Sequence, residues 1–198
     1  MTVAEAEALE DLLRRVRACR LCEAHLPLGP RPVVQIGPTA RILLIGQAPG
    51  TKVHASGRPF TDPSGDRLRQ WMGIDKETFY DPARLCIMPM GFCYPGTLDR
   101  GGDAPPRPEC APEWHDRLRA QMPSVRLTLL VGQYSQGRYL KGRAAKTLTE
   151  TVRRFRDYGP ELLPLPHPSW RNTAWMKKNP WFEAEVIPHL QERMRELL

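Results

Sequence analysis

No apolar run in the chain approaches the ~20 residues that a membrane-spanning helix needs, which argues against a helical membrane protein. Internal repeats and low-complexity tracts are also missing, so solenoid and fibrous architectures are set aside. The N-terminus is acidic and amphipathic and lacks the apolar centre of a secretory leader. The chain is therefore expected to be soluble, cytoplasmic and free of membrane partners. In that reducing setting its five Cys point to metal binding or reactivity rather than to disulfides. Acidic charge is in deficit: 22 Asp and Glu face 29 Lys and Arg, leaving a net charge of +7. Such a surplus suits a polyanionic partner as well as plain solubility. With 198 residues, 41% of them hydrophobic, there is material for one domain, residues 1–198, with a sizeable core.

The organising stretch is Arg41 to Asp66. Ile42, Leu43, Leu44 and Ile45 form a continuous apolar run, the pattern of a parallel strand covered on both faces. Gly46, Pro49 and Gly50 force a sharp exit, and ligands of open α/β sheets sit beyond such strand ends. The following loop carries Gln47, His54, Arg58, Phe60, Asp62, Ser64 and Asp66. That density of polar groups around one Phe reads as a small polar pocket with a stacking surface.

Periodicity predicts a first helix over residues 3–18, a helix from Gly65 to Met72 with Leu68 and Trp71 buried, and a second strand over Leu85–Met90. A long Pro/Gly loop, Phe92 to Pro112, follows. Further on, the pattern gives a helix over Glu113–Met122, a strand over Val125–Val131, a short helix from Gly132 to Leu140 and a helix over Lys146–Phe155. A fourth strand, Glu161–Leu165, exits through His167-Pro-Ser-Trp-Arg-Asn172, and the chain ends in a helix through Leu198. Strands alternating with helices imply a three-layer α/β/α fold with a four-stranded parallel sheet. Trp175, Trp181 and Phe182 read as anchors for the last helix.

Cys19 and Cys22 form a C-x-x-C at the end of the first helix, and Cys93 and Cys110 lie on the Pro-rich loop. Four thiolates so spaced suit tetrahedral zinc or an iron–sulfur cluster. Cys86, inside the second strand, reads as a structural buried thiol, although spacing leaves Cys86 and Cys93 both open as third ligand.

GQAPG at Gly46–Gly50, GRPFTDPSG at Gly57–Gly65 and HPSWRN at His167–Asn172 resemble the signature motifs of the uracil-DNA glycosylase superfamily. The spacing of Cys19, Cys22, Cys93 and Cys110 resembles its iron–sulfur branches, often called families 4 and 5. The resemblance implies a structural 4Fe–4S cluster on those four Cys, uracil-containing DNA as partner, a monomer, and hydrolysis of the glycosidic bond of deoxyuridine. The first motif departs from the pattern. Family 4 enzymes carry Glu where this chain has Gln47, so Gln47 and Ala48 leave GQAPG without a carboxylate. Asp62 matches instead the Asp that family 5 enzymes place shortly before Ser-Gly. The uracil-reading Asn usual in the second strand is also missing, its place taken by Met88-Pro-Met-Gly91.

Breaking an N-glycosidic bond builds positive charge on the sugar and negative charge on the base. Asp62 is the expected general base or electrostatic partner for the sugar, and His167 the expected donor to the base oxygen. Gln47, Ala48, Phe60, Ser64 and Ser169 are expected to hold an everted base. Ser169, Trp170, Arg171 and Asn172 are expected at the DNA groove, with Trp170 or Arg171 as wedge. Asp62 also suits a helix cap. The alternative is a relative that binds uracil-DNA without turnover or covalently. The covalent branch carries a nucleophilic His between the third and fourth cluster Cys, and Tyr94–Glu109 contains none.

Overall fold

The computed structural model describes residues 8–99 and 101–198. Residues 3–7 of the expected first helix lie outside the described residues. Helix α1 (Leu9–Arg17) precedes strand β1 (Ile42–Ile45), and α2 (Thr51–Ser56), α3 (Pro63–Met72) and α4 (Lys76–Phe79) lead to β2 (Leu85–Ile87). Helix α5 (Cys110–Ala120) then leads to β3 (Leu127–Val131). Helices α6 (Gln133–Tyr139) and α7 (Leu148–Arg153) precede β4 (Leu162–Leu165), and α8 (Thr173–Lys178) and α9 (Ile187–Leu197) complete the chain. The strands are all parallel in the order β2-β1-β3-β4, with Ile42 opposite both Leu85 and Leu127.

β1 explains the continuous apolar run. Ile42 and Leu44 pack on one side of the sheet with α3, α4, α7 and α9, whereas Leu43 and Ile45 pack on the other with α1, α5 and α6. Alternate residues thus face two buried layers, which is the expected three-layer architecture. Phe182 is fully buried and meets Trp71 at 4.9 Å and Trp175 at 5.6 Å between ring centroids, so the last helix is anchored as its aromatic residues suggested.

The boundaries differ from the pattern in instructive places. β2 stops at Ile87, because Met90 and Gly91 continue with backbone bonds to Gly46 and Gln47 in a loop rather than a ladder. α5 begins at Cys110, three residues before the expected start. Pro112 falls in its first turn, where a missing N–H leaves no intrahelical bond unmade. The short helices α2 and α4 have no long apolar period and escape pattern reading. β3 and β4 each start later than expected, at Leu127 and Leu162, and a 3₁₀ turn over Phe155–Tyr158 follows α7.

Both margins of the sheet are modified. At β2, Gln35 exchanges backbone bonds with Ile87 at 2.7 and 2.9 Å, and its side-chain amide donates to the Phe79 and Leu85 carbonyls. At β4, the Glu161 carbonyl accepts from Thr128 of β3 and the Leu165 carbonyl from Gly132 just beyond it, so the alternate residue Pro164 turns its nitrogen outward, where a donor is not needed.

Candidate active site

β1 and β3 are neighbours whose connections leave in opposite directions, so a crevice opens beyond their carboxyl ends. A cavity of about 650 Å³ occupies it. Gln47, Ala48, Phe60, Asp62, Ser64, His167, Ser169, Trp170, Arg171 and Asn172 all line this cavity. The structure thus brings together every expected residue outside the cysteine set.

Local sequence explains their placement. Asp62 is the N-cap of α3: its Oδ1 accepts the Gly65 N–H at 3.1 Å, with Pro63 in the first turn. The capping reading and the cavity-lining reading of Asp62 therefore both hold, since one carboxylate oxygen serves the helix. Phe60 has a left-handed backbone, φ +53°, costly for an aromatic residue. Three neighbours impose it. The Phe60 carbonyl accepts from Tyr80 Oη at 3.1 Å and from Arg69 at 3.3 Å, and a Cβ on Gly65 would stand 1.9 Å from that oxygen. Glycine at 65 is what lets α3 approach. Arg69 is itself buried and paired with Asp66 at 2.6 Å, while Arg58 lies 3.5 Å over the Tyr80 ring. Asp66 and Arg58 thus support the Phe60 loop from outside the cavity. The Phe60 ring packs edge-on to Phe79 and faces Gly46, where a Cβ would touch it at 3.3 Å.

His167 follows β4. Its Nδ1 accepts the Ser169 N–H at 3.2 Å, so the neutral ring carries its hydrogen on Nε2. Burial lowers its pKa from the usual imidazole value, against the opposing pull of Asp62 and Asp103, so the ring is neutral at pH 7. Asn172 Nδ2 donates to the His167 carbonyl at 2.7 Å, and Arg67 of α3 donates to the Ser169 carbonyl at 3.0 Å. Asn172 is thereby engaged in holding the His167 loop. Trp170 is 72% exposed at its tip. Arg171 instead packs on Gly101 and Gly102, and a Cβ on Gly102 would stand 2.3 Å from its guanidinium.

Sequence reasoning missed one ionisable group of the cavity. The loop between Cys93 and Cys110 folds back as a hairpin, bridged at Thr97 and Asp103, and Gln47 Nε2 donates to Ala104 O at 3.2 Å. This sets Asp103 in the cavity wall. The signal was present only as a polar, Gly-rich tip within a long loop.

The four cysteines Cys19, Cys22, Cys93 and Cys110 line a second, narrow cavity with Leu26, Phe92 and Trp114. Cys86 is elsewhere: its sulfur bonds the Gly37 N–H and carbonyl within the core. Among the described residues, no three His, Cys, Asp or Glu side chains converge on a single ion. Tetrahedral zinc and a four-iron cluster both take four thiolates, and the four cysteines share the walls of one cavity. The remaining chemistry fits such a group. Phe92 N–H donates to Cys110 Sγ at 3.3 Å, Arg31 N–H bonds Cys93, and the walls are apolar. Burial pushes the Cys93 thiol up to about 11 and that of Cys110 up to about 12.

The model of the Uracil DNA glycosylase superfamily matches residues 34–191. The chain belongs to that superfamily. It is 28% identical over 129 residues to the Type-4 uracil-DNA glycosylase of Archaeoglobus fulgidus. That match takes in 63% of this chain and only 59% of the relative's length. A solution NMR structure of a candidate uracil DNA glycosylase from Methanosarcina acetivorans is similar over 81% of this chain and 94% of that one, at 16% identity and a TM-score of 0.47.

Proposed function

We propose that the chain hydrolyses the N-glycosidic bond of uracil in DNA, as a monofunctional glycosylase acting on an everted nucleotide. The observation that carries this reading is the meeting of Asp62, His167 and Phe60 on one 650 Å³ cavity. The base enters against the Phe60 ring, whose forced backbone fixes its plane. Asp62 keeps one oxygen for α3 and offers negative charge to the sugar as it becomes cationic. His167, neutral with Nε2–H forward, donates to the base oxygen that gains electron density. The three motifs themselves contain no Lys; Lys52 of α2 also lines the cavity, and in this reading it serves the DNA backbone while water completes the reaction. Trp170 fills the gap in the stack, and the +7 net charge draws the phosphate backbone.

Cys19, Cys22, Cys93 and Cys110 would hold a 4Fe–4S cluster. When bound, the cluster supplies a structural tie between the end of α1 and the long loop, with thiolate charge absorbed by iron. Leu26, Phe92 and Trp114 keep the ring of sulfurs dry.

Incubation of the protein with uracil-containing and uracil-free oligonucleotides, followed by alkali, tests the reading. Strand breakage confined to the uracil strand is expected. A gel-stable adduct, or tight binding with an intact strand, would replace hydrolysis by the binding reading that the carboxylate-free GQAPG motif invites. Asp62→Asn, which preserves helix capping, should cut turnover about 100-fold while leaving affinity nearly unchanged. Equal loss of both would remove Asp62 from the chemistry.

A further inference from the structure

Resting on the hydrolase reading, we infer that Asp103 is a second catalytic carboxylate, supplied by the Cys93–Cys110 hairpin to activate the attacking water. The first motif has no acidic side chain, since Gln47 and Ala48 fill the loop. Asp103 makes good the deficit from another segment. Its Oδ2 lies 3.8 Å from where a Cβ on Gly50 would stand, so it reaches the GQAPG loop across the cavity. Gln47 itself holds the hairpin there, through the hydrogen bond its side-chain amide donates to the Ala104 carbonyl. Arg171 packs on Gly101 and Gly102 and fixes the other side of the turn. The turn is further closed by Leu98 N–H to Gly102 O at 2.9 Å and Ala104 N–H to Gly96 O at 2.9 Å.

The two cavity carboxylates differ in what they are free to do. Asp62 spends an oxygen on the Gly65 N–H. Among the described residues none donates a hydrogen bond to the Asp103 carboxylate, and that group opens on the cavity shared with Asp62 and His167. Desolvation raises its pKa above that of an ordinary carboxylate, with Arg171 opposing the rise and Asp62 adding to it. A base that must accept a proton from water gains from such a shift. In the step, the water oxygen bonds C1′ of the sugar as the C1′–N bond breaks. The bonding pair departs with the base, one water proton passes to Asp103, and the His167 Nε2–H steadies the departing anion until the proton held by Asp103 is passed to the base, which restores the carboxylate. Asp62 faces the sugar's positive charge throughout. Water and nucleotide are consumed, and free base and an abasic sugar are formed.

The test uses the full chain as purified with its cluster. Single-turnover cleavage of a uracil-containing oligonucleotide is measured for the native protein, Asp103→Asn and Asp103→Glu, beside affinity for a non-cleavable 2′-fluoro-deoxyuridine duplex and thermal melting. The expected result is a loss of about 100-fold or more in the Asp103→Asn rate constant, with affinity and melting nearly unchanged and partial recovery in Asp103→Glu. Native cleavage with an Asp103→Asn rate within about threefold of it would overturn the assignment while leaving the hydrolase intact. Rate loss accompanied by lowered melting in both variants would also overturn it, as a structural role. If the native protein leaves uracil DNA intact, the hydrolase reading falls and the role of Asp103 falls with it.

Discussion

Replacing His115 tests how the cavity wall and the cysteine cavity are held to the same helix. His115 is fully buried in α5. Its Nε2 lies 3.0 Å from the Pro89 carbonyl, its Nδ1 2.6 Å from the Tyr139 hydroxyl, and its ring stacks on Phe92 at 5.6 Å. A carbonyl can only accept, so Nε2 carries the hydrogen and Nδ1 accepts from Tyr139. Burial lowers the pKa to about 4 from 6.5. Between those values the unfolded chain binds a proton that the folded chain refuses. The stability this group contributes is complete above pH 6.5 and is lost as pH falls toward 4. A gap of about 2.5 pH units, at ~1.4 kcal/mol each, makes the full loss roughly 3–4 kcal/mol. Urea unfolding of the native protein and of His115→Gln, from about pH 7.5 to about pH 4.5, reads it directly. The variant keeps a donor for Pro89 but does not titrate, so other groups cancel in the difference. The native curve should fall by roughly 2–3 kcal/mol more than that of the variant over the range. Parallel curves would refute the neutral-ring argument.

Trp170→Ala should weaken uracil-DNA binding by about 1–3 kcal/mol, as expected for a lost stacking side chain, with melting unchanged; unchanged binding would remove Trp170 as the wedge. Cys93→Ser should reduce the visible absorption and iron content of the purified protein, while Cys86→Ser should leave both intact; the reverse pattern would transfer the ligand role to Cys86. Gly65→Ala forces a Cβ against the Phe60 carbonyl and should cost about 1–3 kcal/mol in unfolding while impairing uracil-DNA binding. Wild-type stability and affinity in that variant would show that the Phe60 loop relaxes freely.

The sheet was legible because its strands are short apolar runs between Gly and Pro, and double burial leaves no alternation to misread. Ile42–Ile45 and Leu127–Val131 illustrate this. The cavity was legible for a related reason: its residues follow directly from β1 and β4, so strand ends predict their convergence. Asp103 was not, since its position depends on a hairpin whose partners, Gln47 and Arg171, are distant in sequence. Cys110 falls in the Pro/Gly-rich stretch that composition reads as loop, yet it begins α5, whose first turn tolerates Pro112. The engagement of Asn172 with the His167 carbonyl likewise needs the turn geometry, not the residue type, to be seen.

The treatment of the outer strands has a consequence for how molecules of this protein meet in crowded solution. Gln35 occupies the hydrogen-bonding groups of Ile87 that a foreign strand would seek, and Pro164 withholds a donor on the opposite flank. Recruitment of a neighbouring polypeptide by ladder extension is therefore disfavoured at either side, a safeguard against fibrous association for a sheet this rich in leucine and isoleucine.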